Sequence, residues 1–366
     1  MRKPLLLTAI FLSAGLLQLF FGTANSVTSR LASAATPMKT STSNQEFKVV
    51  GYVQHYNLER LSPDLDRSKI THINIAFLHP DANGKMMMAD DNAPLGDDKI
   101  NSIRQFIQKM HAKRVKVLVS IGGGAVSEPK SGSKAAAIKE NYLKLLANKK
   151  SRTKFAGALV EYLDKMNFDG VDIDFEGPFL IELNAPKDNL FSLFIEQLRK
   201  KLPPRKILTS ALKKDYGGES VPRETLAKFD WINVMAYDFT GNWEDSKIGQ
   251  HSSLEDAATE LEFWRGQVEK EKLVLGVPFY GVGFDALKRD NHYSYREIVA
   301  KFPDRSEADT AGNVIYYNGI STIGKKVELA SETAAGIMIW ELPQDAEGEK
   351  SLLAAIRDKS KELKLR

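Results

Sequence analysis

The 366 residues are 43% hydrophobic and 27% charged, which is the composition of an ordinary globular protein. The formal net charge is only +4, and the basic residues are scattered among acids, so the chain gives no argument for a nucleic acid or an anionic membrane as partner. There is no cysteine, which excludes disulfides, thiolate metal sites and a cysteine nucleophile. The fold must therefore rest on its hydrophobic core.

The first residues have the layout of a secretory signal. Arg2 and Lys3 precede an uncharged apolar run over residues 5–21, and small residues suited to cleavage follow. We expect a signal peptide over residues 1–24, cleaved after Ala24 or as late as Ala34. An uncleaved membrane anchor is the alternative, because the run is close to the shortest length that spans a bilayer. Residues 25–46, rich in Ser and Thr, predict a spacer before a folded domain over 47–366 that is secreted or held in the cell envelope.

Short apolar runs rich in β-branched residues then alternate with longer amphipathic ones. Helical patterns cover residues 98–112, 154–166, 189–202, 254–270 and 320–331, and the charged tail 345–366 predicts a last surface helix. The alternation predicts an α/β fold with a parallel sheet, closed as a single-domain (β/α)8 TIM barrel; an open doubly wound sheet is the alternative. The eight strand candidates are 48–53, 70–77, 115–121, 170–175, 207–212, 231–237, 273–279 and 336–340.

The segment 169–176 places acids at alternate positions of an apolar run. On a strand, Asp172, Asp174 and Glu176 share one face. Neighbours there lie roughly 6.5 to 7 Å apart, so at an effective dielectric of about 20 two full charges repel by about 2.5 kcal/mol, enough to keep a proton on one of them near neutral pH. A solvated acidic edge strand is the alternative. Asp169 is out of phase with the other three and is interpreted as a structural residue at the strand entry.

The strand ends predict a site, because the active site of a β/α barrel collects at the carboxyl ends of its strands. Aromatic faces stack on the C–H faces of sugars while carboxylates bind hydroxyl groups, so this set favours a carbohydrate. Neither a cofactor nor a metal is expected: residues 122–124 lack the third glycine of a nucleotide loop, and His72 and His79 lack partner ligands. The candidate side chains are Tyr52, Tyr56, Glu176, Tyr237, Asp238, Trp340 and Glu341.

Four motifs together resemble those of glycoside hydrolase family 18, the chitinases and their relatives. They are S-x-G-G at residues 120–123, D-x-x-D-x-D-x-E at 169–176, M-x-Y-D at 235–238 and a strand-eight tryptophan, Trp340. They stand in the family's order on the predicted strands and cover about 49–342. The acidic motif is specific to the family, whereas each of the other three would be weak evidence for it by itself.

The resemblance implies a retaining, substrate-assisted mechanism, an exception to the usual scheme of two carboxylates. Glu176 would protonate the glycosidic oxygen and later activate water, while the substrate's own N-acetyl oxygen attacks the anomeric carbon to give an oxazolinium ion. Asp174 would bind the acetamido N–H, Asp172 would share a proton with Asp174, and Tyr237 would steady the acetamido oxygen. The residues implied in substrate binding are Tyr52, Gly122, Gly123, Met235, Asp238 and Trp340, although Met235 and Tyr52 also fit plain packing roles.

The implied substrate is a polysaccharide or oligosaccharide that contains N-acetylglucosamine, most directly chitin, bound by a monomer with no stable membrane association after signal removal. Two further functions stay open: an endo-β-N-acetylglucosaminidase acting on N-glycans or wall glycan, and a catalytically silent sugar-binding protein of the same fold. Trp243, after strand six, fits a sugar platform or loop packing equally well.

The sequence departs from the family pattern in two places. Residues 54–56 read Gln-His-Tyr where many members have a tryptophan after strand one. Only residues 284–318 are available for the α+β insertion that many members carry between strands seven and eight. We therefore expect little or no insertion domain and a shallow groove.

Overall fold

The computed structural model describes residues 46–365, apart from 62–64, 66–69, 89–92, 285–291 and 313. The predicted signal peptide and residues 25–45 of the predicted spacer lie outside the described residues. The described residues belong to one compact unit, 44–366. Within them, no helix is both long enough and apolar enough to cross a membrane.

Eight parallel strands close into a barrel, as predicted, in which each strand pairs with the strands before and after it in the chain and the last pairs with the first. The alternation of side chains places one set inside the barrel and the other against the helices. Val171, Ile173 and Phe175 pack outward in the main core, while Tyr52 and Met338 line the interior. The strands are β1 Lys48–Gln54, β2 His72–Ala76, β3 Lys116–Gly122, β4 Gly170–Asp174, β5 Ile207–Leu212, β6 Trp231–Val234, β7 Leu273–Pro278 and β8 Gly336–Trp340.

Helices surround the barrel. The predicted helices all form, with ends shifted by up to seven residues. Several short helices were not predicted because one or two turns give too little periodicity, and the 13-residue helix Lys134–Leu146 was missed as well. The helices are α1 Asp97–Ala112, α2 Gly124–Ser127, α3 Lys134–Leu146, α4 Lys149–Met166, α5 Gly177–Leu183, α6 Leu190–Lys201, α7 Arg223–Leu226, α8 Leu254–Arg265, α9 Tyr295–Lys301, α10 Ile320–Thr333 and α11 Leu352–Glu362.

A small insertion lies between β7 and β8. It consists of α9 and a four-stranded antiparallel sheet, formed by Tyr280–Gly283, His292–Ser294, Thr310–Ala311 and Ile315–Tyr316. The short segment between these barrel strands therefore holds a small folded unit. A further two-stranded sheet, His79–Pro80 with Met86–Met88, follows β2.

Asp169 joins three elements at the entry of β4. One of its carboxylate oxygens accepts a hydrogen bond from the Val117 backbone N–H at 2.7 Å and lies 2.8 Å from Nε2 of His111, the penultimate residue of α1. These contacts fix the start of β4 against β3. The structure thus gives Asp169 the structural role that its strand phase predicts.

Gly170 permits the close approach of β4 and β5. A Cβ atom at this position would lie 2.2 Å from the carbonyl oxygen of Ile207, which is backbone and cannot rotate away. We expect Gly170→Ala to lower the free energy of unfolding by about 3 kcal/mol. Gly249→Ala is the matched control, since a Cβ there meets nothing within 4 Å. Chemical denaturation of both variants measures the difference, and equal stabilities would contradict this packing account.

Candidate active site

The row of acids begins deep in the barrel and ends at its mouth. Asp172 and Asp174 point inward from β4 and are buried, with 0% and 4% of their surface exposed, whereas Glu176 follows the strand and is partly exposed. Glu176 is the residue immediately before α5, so its backbone position is set by the turn from strand to helix. The sequence-predicted line of three carboxyl groups therefore exists, with only its last member open to solvent.

Asp172 is held by donors from four other strands. Its Oδ2 accepts hydrogen bonds from Tyr52 and Ser120, both at 2.7 Å. Its Oδ1 accepts from Thr209 at 2.6 Å and from Asn233 at 3.2 Å. Burial raises the pKa of the Asp172 carboxyl, and these hydrogen bonds oppose that rise. On balance the pKa stays above its ordinary value, while the four donors favour the charged form of the carboxyl.

Asp174 has the opposite environment. Its Oδ1 is buried and has no hydrogen-bond partner among the described residues. Burial, followed by the negative charges of Glu176 and Asp172, raises the pKa of Asp174 well above its ordinary value. An unsatisfied buried carboxyl group is costly, and such a group often marks a place for a ligand.

Glu176 holds its proton at neutral pH. Burial raises its pKa to about 8, the charges of Asp238 and Glu128 act in the same direction, and the Lys213 ammonium opposes them. A Cβ added at Gly124 would lie 3.4 Å from Oε1 of Glu176, so the carboxyl group lies beside the start of α2. A carboxylic acid that is protonated at pH 7 and partly exposed is suited to general acid catalysis.

Asp238 stays ionised close by. Its Oδ1 accepts a hydrogen bond from the Tyr280 hydroxyl at 2.7 Å and lies 3.2 Å from His251 Nδ1. Burial acts to raise its pKa, but the interactions with His251 and Tyr280 lower it on balance. The site thus holds carboxyl groups in different protonation states, which is how one cleft can carry both acid and charge-stabilising groups.

Aromatic side chains line the mouth of the barrel. The Trp340 ring lies 5.4 Å from the Tyr52 ring and stacks on Phe77 at 5.7 Å, measured between centroids. Tyr237 is buried beside the acids, and its hydroxyl lies 3.9 Å from the Met338 sulfur. These rings give the cavity an apolar floor next to its acidic row.

Gly122 and Gly123 shape the site through their backbone. Both have positive φ values, of 112° and 87°, which favour glycine. A Cβ at Gly122 would lie 2.3 Å from the Asp174 carbonyl oxygen, and the Gly123 N–H donates to that same oxygen at 2.7 Å. These two glycines therefore let β3 approach the acidic strand.

Four other predicted residues differ in burial and contacts. Met235 is buried in the interior cluster, which fits a packing role. Glu341 accepts from the Gln54 backbone N–H at 3.3 Å. Tyr56 and Trp243 are each 53% exposed. Among the described residues, no group of three or more His, Asp or Glu side chains could hold a metal ion.

Several residues around the acids were not assigned a role from the sequence. Thr209 and Asn233 share the inward phase of their strands, and Thr209 lies opposite Asp172 in the sheet register, so strand parity could have identified them. Lys213, His251 and Tyr280 lie beyond or outside the predicted site segments, and no local pattern marks them.

The fold and site define a barrel enzyme with a protonated carboxyl group placed for acid chemistry. A family model described as "Glycosyl hydrolases family 18" matches residues 48–345. The chain belongs to this family and is a glycosidase.

Among curated proteins, Class V chitinase CHIT5a of Medicago truncatula is 28% identical, over 78% of this chain and 83% of its own length. Probable chitinase 10 of Drosophila melanogaster is 28% identical over 68% of this chain, which covers only 11% of that protein. Among solved structures, the GH18 chitinase ChiB from the chitin utilization locus of Flavobacterium johnsoniae is 36% identical, with a TM-score of 0.73 over 87% of this chain and 96% of that one.

Replacing Asp172 tests whether it is ionised. In Asp172→Asn the amide NH₂ replaces an oxygen that accepts two hydrogen bonds, so the hydroxyl groups around it must turn from donating to accepting, and we expect a loss of about 2 kcal/mol in the free energy of unfolding. Ser120→Ala removes a single donor and should cost about 1 kcal/mol. Chemical denaturation gives both values. Because asparagine resembles a protonated aspartate, an Asp172→Asn variant as stable as the wild type would show that Asp172 is neutral.

Proposed function

We propose that this protein hydrolyses β-1,4-linked glycans of N-acetylglucosamine, namely chitin or chitooligosaccharides. Support comes from the curated relatives, several of which bear the name chitinase, and from the 36% identity to the Flavobacterium johnsoniae GH18 chitinase along nearly all of that chain. The acidic row and the aromatic floor suit a sugar that carries both hydroxyl and acetamido groups.

We further propose a retaining mechanism in which the substrate supplies the nucleophile. The observation that carries this proposal is the buried Asp174 Oδ1, which has no hydrogen-bond partner among the described residues. Asp174 interacts electrostatically with Glu176, and this oxygen can accept the acetamido N–H of a bound sugar. So oriented, the acetamido oxygen attacks the anomeric carbon while Glu176 transfers its proton to the leaving glycosidic oxygen.

The second half of the reaction reverses the role of Glu176. The bond between the anomeric carbon and the leaving oxygen has broken, and the sugar is an oxazolinium ion with its positive charge near Asp174. Glu176, now a carboxylate, takes a proton from water. The water oxygen attacks the anomeric carbon and opens the oxazolinium ring. The product regains the configuration of the substrate and Glu176 regains its proton, so no protein nucleophile is required.

Replacing the proton donor tests this assignment. We expect Glu176→Gln, which keeps the shape and removes the transferable proton, to lower kcat on a chromogenic chitobioside by about 10³-fold. Glu182→Gln is the matched control, because Glu182 lies on α5, is exposed and pairs with Lys139 at 3.0 Å. Equal release by wild type and Glu176→Gln would refute the role of Glu176.

A substrate panel separates chitin hydrolysis from the other functions. Wild-type protein is incubated with chitohexaose, a high-mannose glycopeptide and peptidoglycan, and products are identified by mass spectrometry. The proposal predicts cleavage of chitohexaose. Activity on the glycopeptide or on peptidoglycan alone would indicate an endo-β-N-acetylglucosaminidase, and tight binding of chitohexaose without turnover would indicate a sugar-binding protein.

We also propose that the protein acts outside the cytoplasm, as a secreted or cell-envelope enzyme. The support is Arg2 and Lys3 followed by the uncharged apolar run 5–21. Expression of the full chain in a host with an export pathway, followed by N-terminal sequencing of the exported protein, should show a start after Ala24 or Ala34. Full-length protein confined to the cytosol would contradict export.

A further inference from the structure

We propose that Lys213 is a positioning residue for the reaction: its ammonium group fixes the backbone of Tyr237 and Asp238 and places a positive charge opposite Glu176 and Asp238. The inference rests on the proposed function, because it assigns Lys213 a part in that same chemistry. No motif discussed above includes Lys213.

The contacts of Lys213 converge on the segment that follows β6. Its Nζ donates to the Tyr237 carbonyl oxygen at 3.0 Å and to the Asp238 carbonyl oxygen at 2.7 Å. It also lies 4.3 Å from the centroid of the Phe239 ring. One ammonium group therefore engages three consecutive residues, two of which line the site.

This segment needs such support because the regular backbone hydrogen bonding of the barrel strands has ended. β6 stops at Val234, and Asp238 has a φ of 56°, in the left-handed region that is costly for residues other than glycine. Donors from outside the strand must therefore hold the carbonyl groups of residues 237 and 238. Lys213, which directly follows the neighbouring strand β5, supplies two of them.

The charges around Lys213 connect it to the acid. Burial lowers the pKa of its ammonium group, while Asp238, Glu260, Asp215 and Glu176 act to raise it. The interaction is mutual, and the pKa of Glu176 is raised by burial and by Asp238 and Glu128 but lowered by Lys213. Asp174 also interacts with Glu176 and shares the cleft. Lys213 thus offsets part of the negative charge that would otherwise bind the Glu176 proton too tightly.

The test is Lys213→Met, which keeps most of the side-chain length and removes both the charge and the donors. We expect kcat on a chromogenic chitobioside to fall by about 10- to 100-fold, because the segment carrying Tyr237 and Asp238 loses its anchor. Because the pKa of Glu176 is about 8, we expect wild-type activity to fall at alkaline pH as Glu176 gives up its proton. Without the opposing cation the Glu176 pKa rises, so this alkaline limb of kcat/KM should move up by about half a pH unit or more.

Two further variants separate the effects of charge and of fold. Lys214→Met is the matched control, because Lys214 pairs with Asp215 at 3.4 Å and lies over the Phe263 ring, and it should keep the wild-type pH profile. Lys213→Arg keeps the positive charge, and its alkaline limb should stay at the wild-type pH even if kcat falls. Thermal melting of each variant shows that it is folded, and if Lys213→Met does not fold, Lys213→Gln takes its place.

The outcomes decide the inference independently of the proposed function. A folded neutral variant with unchanged kcat and an unchanged alkaline limb overturns it. A lower kcat with an unmoved limb also overturns it, since that result describes a purely structural lysine. If the wild type hydrolyses none of the glycans, the proposed function fails; titration of the Glu176 carboxyl by ¹³C NMR in wild type and Lys213→Met then still shows whether the pKa rises.

Discussion

The site depends on one electrostatic constraint, the repulsion between carboxyl groups at alternate positions of the chain along β4 and just beyond its end. Asp172 and Asp174 are buried on the inner face of β4 and Glu176 follows the strand, so water cannot screen the three groups fully. The fold meets this constraint by giving each group a different environment. The deepest accepts four hydrogen bonds that oppose the rise in its pKa, whereas burial and neighbouring negative charges together raise the pKa values of the two nearer the mouth.

Because the environments of the three carboxyl groups differ over a few residues, the site needs a precisely placed backbone. Gly122 and Gly123 bring β3 against the Asp174 carbonyl, and Gly170 brings β5 against the start of β4. The strand that carries the acids is therefore fixed from both sides. Within this fixed backbone Asp174 Oδ1 keeps no hydrogen-bond partner among the described residues, as the proposed binding of an acetamido N–H requires.

The alternation of side chains along each strand predicted well which residues face the barrel interior. It separated Asp169 from the other three acids, and the structure gives Asp169 contacts to β3 and α1. This alternation gave a wrong prediction where a strand ends early. β6 was expected to reach Tyr237, but it stops at Val234, and the backbone then turns. Residues that reach the site from outside the ladder were missed for a related reason, since the direction of a long side chain such as Lys213 depends on tertiary contacts. Strands of two residues in the small insertion carry no period to detect.

In the proposed mechanism the substrate's acetamido group, rather than a protein carboxylate, attacks the anomeric carbon. A 4-nitrophenyl chitobioside can be compared with an analogue whose reducing-side acetamido group is replaced by hydroxyl. Both have the same leaving group, and Glu176 can protonate either. We expect kcat/KM to fall by about 10³-fold or more for the analogue, because the intramolecular nucleophile is gone. Comparable turnover of the two substrates would show that the acetamido group is not the nucleophile.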